Sequence, residues 1–249
     1  MDVNLTDEQQ MMVDSAREFL RDACPLATVR DWEKLPDRYP REIWARMAEM
    51  GWTGAIYPEA FGGLGLTNLD MALLMREMGR VALPSPILST VLLAGRAILA
   101  GGSEAQKQGL LPKIAAGEVL LSFALTEASA RPDAATVRTS ARAVGDGYVL
   151  NGTKHFVEFA EQAGQMLVVA RTSESANPGQ GLTMFLVDAR APGIEYIPLQ
   201  TLALQPQAKV VLKDVRVAAT GVVGRVDHAW AVLDPVIQAA TAIVCAYMT

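Results

Sequence analysis

The apolar pattern of this 249-residue chain changes period near residue 117, and that change limits the fold more than any other feature. Before Gly117, apolar residues recur three and four positions apart, the spacing of helices that bury one face. From Val119 they alternate, or run in short blocks bounded by Gly, Pro, Asn and Asp, as strands do. From Ala229 the helical pattern returns. The expected fold class is therefore α+β: an N-terminal all-α helical bundle over residues 1–117, a mainly antiparallel β-barrel-like domain over 118–225, and the start of a C-terminal helical bundle over 226–249. No ten-residue helical pattern interrupts the strand candidates at 120–125, 136–144, 148–159, 166–171, 183–187, 194–197 and 209–217.

Local signals agree with this division. Thr6 with Gln9, and Ser103 with Gln106, form capping boxes ahead of helices, and Thr67 caps a third. Pro40 opens a helix that carries Ile43, Met47 and Met50 inward and stops at Gly51. Pro112 is expected to kink or restart the helix after Ser103. Gly145-Asp146-Gly147 marks a hairpin between two strands. The loop Pro58-Glu59-Ala60-Phe61-Gly62-Gly63-Leu64-Gly65 needs backbone shapes that favour glycine, and it lacks the lysine of a phosphate-binding P-loop.

Composition narrows the function. A hydrophobic share of 51% with 20% charged residues describes a globular chain with a large core. The net charge of −5 and the lack of a basic patch argue against nucleic acid as a partner. Residues 87–100 are too few to span a membrane and include Arg96. Residues 229–249 are long enough, but Asp234, Pro235 and Gln238 interrupt a run that should be about 20 apolar residues. Both read as buried helices, so no membrane span is expected. The start of the chain carries no secretory pattern, and with only Cys24 and Cys245 the expected location is the reducing cytoplasm. His155 and His228 lack second ligands at metal spacing, so no metal site is expected.

Residues 120–158 carry the strongest functional signal. Leu125-Thr126-Glu127, then Asp133, then Val149-Leu150-Asn151-Gly152-Thr153-Lys154 resemble the flavin-binding signature of the acyl-CoA dehydrogenase family. The loop from Pro58 to Gly65, and the run from Glu104 through Leu111-Pro112-Lys113-Ile114-Ala115-Ala116-Gly117-Glu118, resemble the same family in the same order. The resemblance implies FAD as cofactor and α,β-dehydrogenation of an acyl-CoA thioester, fatty acyl or sterol side chain. It further implies an electron-transfer flavoprotein or similar acceptor, and a homo- or hetero-oligomer, dimer or tetramer. By this likeness the chain corresponds to the first two of three domains, and the carboxylate base is expected outside it.

The resemblance places the cofactor at Phe123, Leu125, Thr126, Pro132, Phe156, Val157 and Glu158, with Pro132 also facing substrate. Glu127 and Asp133 belong to the structure of the turn. Arg131-Pro132 stands where the family has Gly-Ser, and Phe156-Val157-Glu158 stands where it has Trp-Ile-Thr. These departures collect at the cofactor face. A second reading follows, in which the chain is a partner subunit of a heteromeric acyl-CoA dehydrogenase and binds flavin weakly or not at all. A third is a fold relative such as a flavin monooxygenase or nitroalkane oxidase.

Overall fold

The computed structural model describes residues 4–32, 34–35, 39–129, 133–202 and 205–249. The helical part begins with α1 (Asp7–Ala23), whose Thr6–Gln9 capping box is reciprocal and whose Val13, Ala16 and Leu20 are buried. α2 (Leu26–Trp32) follows, an element the apolar spacing alone does not announce. α3 (Arg41–Glu49) starts at Pro40 and buries Ile43, Trp44 and Met47. α4 (Asn68–Arg80) is capped by Thr67 and tied to α1 at two places. Gln9 Nε2 donates to Asp70 at 2.7 Å, and the buried Glu77 accepts from Arg17 at 3.0 Å while Arg76 and Arg80 flank it.

A π-helix (Ile87–Gly95) runs directly into α5 (Arg96–Gly101), and both are packed in the centre of the helical layer. The glycine loop sets up its support. The 54–66 turn closes on itself through Gly65 N to Tyr57 O and Leu66 N to Ala55 O, each 2.8 Å. A Cβ on Gly63 would run into the Tyr57 carbonyl, so glycine is required there by close approach. Tyr57, held this way, donates its buried hydroxyl to Val91 O at 3.1 Å.

α6 (Glu104–Ala115) does not restart at Pro112; the helix continues through it. Proline removes one backbone donor. Burial of Leu111, Ile114 and Ala115, with Thr53 Oγ1 donating to Ala115 O at 2.6 Å, holds the last turn in place.

The strand region is one eight-stranded mixed sheet. Its order is β6-β7-β3-β2-β4-β5-β8, with β1 (Leu121–Ala124) beside β4 (Gln165–Arg171). The antiparallel expectation holds for most pairs: β2 (Ser140–Val144) with β3 (Gly147–Glu158), β3 with β7 (Gln207–Ala218), β4 with β5 (Leu182–Asp188), β6 (Ile194–Leu199) with β7, and β5 with β8 (Val222–Val223). β1 and β4 are parallel, and β2 touches β4 in parallel at Ser140↔Arg171. The hairpin turns at Gly145-Asp146 as expected, with Gly145 at φ +60°. β4 shows why its apolar run is unbroken. Met166, Val168 and Ala170 fill the core within the sheet, while Leu167 and Val169 pack against the helices.

α7 (Ala229–Tyr247) returns to the helical layer beside α4 and α5. Gly79 permits this approach, since a Cβ there would meet the Tyr247 carbonyl. Its neighbours in this chain bury only the stripe Ala229, Leu233, Val236, Ala240 and Ile243. It is long and apolar enough to cross a membrane by length and composition, and 28% of that span is buried.

One buried ion pair joins β3 to the segments that follow β1 and precede β2. Lys154, on β3, is fully buried and donates to Glu127 Oε1 at 2.7 Å and to Leu125 O at 3.1 Å. Glu127 also accepts from the amides of Arg138 at 2.8 Å and Thr139 at 2.9 Å. Burial pushes the Glu127 carboxyl up, but the charge and hydrogen bond of Lys154 and the Thr139 amide outweigh it and hold it below its ordinary value. Burial pushes the Lys154 ammonium down to about 8, against the pull of Glu127, so both partners are charged at neutral pH.

Three stability outcomes are expected. Gly79→Val should lower stability by about 2 kcal/mol through forced separation of α4 and α7. Gly109→Ala, at an exposed and open helical position, should raise it by up to about 1 kcal/mol, both read by thermal melting. Lys154→Met should cost about 3–5 kcal/mol at neutral pH because it leaves Glu127 buried and unpaired. In the native protein the Glu127 contribution is present above the unfolded carboxyl value and is lost as pH falls through its lower folded value. In Lys154→Met the unpaired carboxyl titrates high instead, so the deficit should shrink with acidification. An equal deficit at about pH 5 and about pH 8 would contradict this account.

Candidate functional site

A cleft of about 280 Å³ opens where the end of β1, the end of β3, the π-helix and α7 converge. Its walls are apolar, with Phe123 and Leu125 from the β1 end, Phe156 from β3, Leu88 and Leu93 from the π-helix, and Val244 from α7. Ser89, Thr126, Glu158 and Thr241 supply the polar side chains. The π-helix is fixed against β1 by Thr90, whose hydroxyl donates to Leu121 O at 2.8 Å and accepts from Leu121 N at 3.1 Å.

β3 reaches the cleft through a bulge. Its register against β7 shifts between Lys154 and Val157, and Phe156 sits at φ +54°. A left-handed aromatic residue costs about 1–3 kcal/mol and persists only where its surroundings over-determine it. Here they do: the buried Lys154 anchors one side of the bulge, Val157 the other, and His155 N donates to Thr126 O at 2.8 Å. The outcome is a phenyl ring, 58% exposed, presented at the mouth of the cleft.

Glu158 lies on the cleft wall and is partly buried. Burial pushes its carboxyl above the ordinary value, opposed only by a hydrogen bond with the Gln207 side chain. Tyr247, on α7, is pushed up by burial and then by the nearby Glu158 charge.

Of the residues named from sequence, Phe123, Leu125, Thr126, Phe156 and Glu158 come together on this one cleft. Val157 does not line it; its side chain packs in the core of the sheet with Leu150 and Val210. Pro132 lies outside the described residues, as does Arg131. Asp133 caps a short turn by accepting from Ala135 N at 2.9 Å. Ser89, Leu93, Thr241 and Val244 were not named from sequence. A π-helix has no distinctive residue pattern, and the α7 residues are far in sequence from the others on the cleft. Among the described residues, no group of three or more His, Cys, Asp or Glu side chains is placed to hold a metal ion.

The arrangement suits a largely apolar ligand, with Thr126 and Glu158 among the polar side chains on the wall.

Residues 6–118 match the family profile described as "Acyl-CoA dehydrogenase, N-terminal domain", and residues 122–215 match "Acyl-CoA dehydrogenase, middle domain". Acryloyl-CoA reductase (NADH) of Anaerotignum propionicum is 34% identical over 232 residues, which is 90% of this chain and 58% of that protein. Butyryl-CoA dehydrogenase from Megasphaera elsdenii superposes with a TM-score of 0.88 at 28% identity, covering 99% of this chain and 66% of the other. The ChsE4-ChsE5 complex from Mycobacterium tuberculosis matches with a TM-score of 0.84 at 27% identity, covering 96% and 61%. In each case this chain spans less than two thirds of the relative. With both profiles matched in order over most of its length and the fold shared throughout, the chain belongs to the acyl-CoA dehydrogenase family.

Proposed function

We propose that this chain supplies the flavin- and acyl-facing cleft of an FAD-dependent enzyme that dehydrogenates an acyl-CoA thioester between its α and β carbons. The observation that carries the proposal is the convergence of Phe123, Leu125, Thr126 and Phe156 on one apolar cleft, at the positions where the family signature would put the cofactor. Apolar and aromatic walls with a hydroxyl at one edge fit a flat heteroaromatic ring. FAD, when bound, would supply the hydride acceptor that the side chains of the protein lack.

The contribution of the chain is binding and exclusion of water. The bulge presents Phe156, the Thr126 carbonyl is held by His155 N, and the π-helix closes the far wall. Glu127 is committed to Lys154 and two amides, so it is not placed to take a proton from a substrate. The base is therefore proposed to come from residues other than these. A cytoplasmic location accompanies this reading and suits two free thiols, Cys24 buried and Cys245 exposed. So does an electron-transfer flavoprotein or similar acceptor.

A second reading is favoured by Glu158. Where that carboxyl is ionised, it opposes a ligand that gains negative charge on reduction. The chain would then be the subunit of a hetero-oligomer that binds flavin poorly, a reading for which the two-component ChsE4-ChsE5 complex is a structural parallel. The open face of α7 supports assembly in either case.

The visible absorbance spectrum of the purified protein separates the two. Flavin bands retained by the chain alone support the first reading. Bands that appear only after co-expression with a homologous subunit support the second, and their absence from both preparations would remove both.

A further inference from the structure

Glu158 is the one carboxyl on the wall of the cleft, and among the described residues no cation acts on it. The π-helix offers only Ser89, whose hydroxyl donates to Pro86 O at 3.3 Å. α7 offers Thr241, which donates to Ile237 O at 2.8 Å, and Tyr247, which donates to Leu83 O at 3.2 Å. β7 offers the neutral Gln207. On β3 itself Lys154 is taken by Glu127, and the backbone of His155 is bonded to Thr126. The hydroxyls of Ser89, Thr241 and Tyr247 thus serve the protein, and Glu158 and Thr126 remain to address a ligand.

We propose that Glu158 acts in its protonated form as a ligand-contacting hydrogen-bond donor of this cleft, selecting flat, uncharged ligands that carry an acceptor atom and taking up one proton as they bind. The isoalloxazine ring is one such ligand, and naming it rests on the proposed function; the proton linkage rests on the cleft alone.

The physical argument is desolvation. A carboxylate on an apolar wall with one amide partner already loses part of its hydration, which favours the neutral form. A flat ligand seated against Phe156 displaces more of the remaining water, and it meets an ionised carboxylate with no compensating charge. The protonated form avoids that cost and supplies a donor. The carboxyl therefore titrates higher in the complex than in the free protein, and between the two values each bound ligand takes up one proton. In that window the affinity falls by up to about tenfold per pH unit as pH rises. Below the free value it is flat.

The test uses two uncharged aromatic probes, riboflavin and Nile red, titrated by fluorescence from about pH 5 to about pH 9 against the whole protein and against Glu158→Gln. Glutamine keeps the shape and a donor but cannot titrate. The expected result is a dissociation constant that rises with pH in the native protein and is flat in Glu158→Gln. An affinity independent of pH in the native protein, a slope that survives Glu158→Gln, or failure of both probes to bind would each overturn the inference. Nile red bound with the expected slope while riboflavin fails to bind would uphold the inference and count against the flavin reading.

Discussion

The Lys154 side chain is fully buried, and a buried cation is tolerable only where it is paired and hydrogen-bonded. Glu127 and the Leu125 carbonyl answer it, and Glu127 must in turn be held by the amides of Arg138 and Thr139. Five residues on three chain segments are thereby placed relative to one another. Since Thr126 lies between two of them, the end of β1 cannot slide along the cleft. Since Lys154 precedes the bulge, Phe156 cannot return to regular strand geometry without pulling the ammonium from its partners. A pair of this kind is weak evidence for net stability. Its consequence here is positional.

The same logic explains why the signature is legible in sequence. Leu150 is core. Asn151 exchanges two hydrogen bonds of 2.9 Å with Asp214, which sits at φ +53° opposite a register shift. Gly152 faces Thr139 so closely that a Cβ would collide with it. Lys154 closes the ion pair. Each position of Leu150-Asn151-Gly152-Thr153-Lys154 other than Thr153 thus has a structural reason that does not involve a ligand. The sequence marks the scaffold of the site more strongly than the site.

Where sequence reasoning fell short, long-range packing decided the outcome. Pro112 could restart a helix by local rules, but the buried turn that follows it is fixed by Thr53 and the core and the helix runs on. Val157 and Glu158 are adjacent in sequence and point to opposite faces, as strand residues must. A motif read as a string assigns both to one surface, and only the register of the bulge shows which residue lines the cleft. The π-helix is a further case: its apolar run fits any buried helix, and its widened turn is visible only in three dimensions.

The two glutamates near the cleft show how environment divides one residue type into two behaviours. Both are taken from water, and burial alone would push both carboxyls up. Glu127 has a cation and two amides, which reverse the direction and keep it ionised. Glu158 has one neutral amide, which does not. They stand on opposite sides of the same strand end, with Lys154 turned toward one and away from the other. Moving the bulge past Lys154 would turn that side chain to the other face of β3, leaving the scaffold carboxylate unpaired. The strained Phe156 backbone keeps the register, and with it the separation of a fixed anion from a carboxyl that can hold a proton.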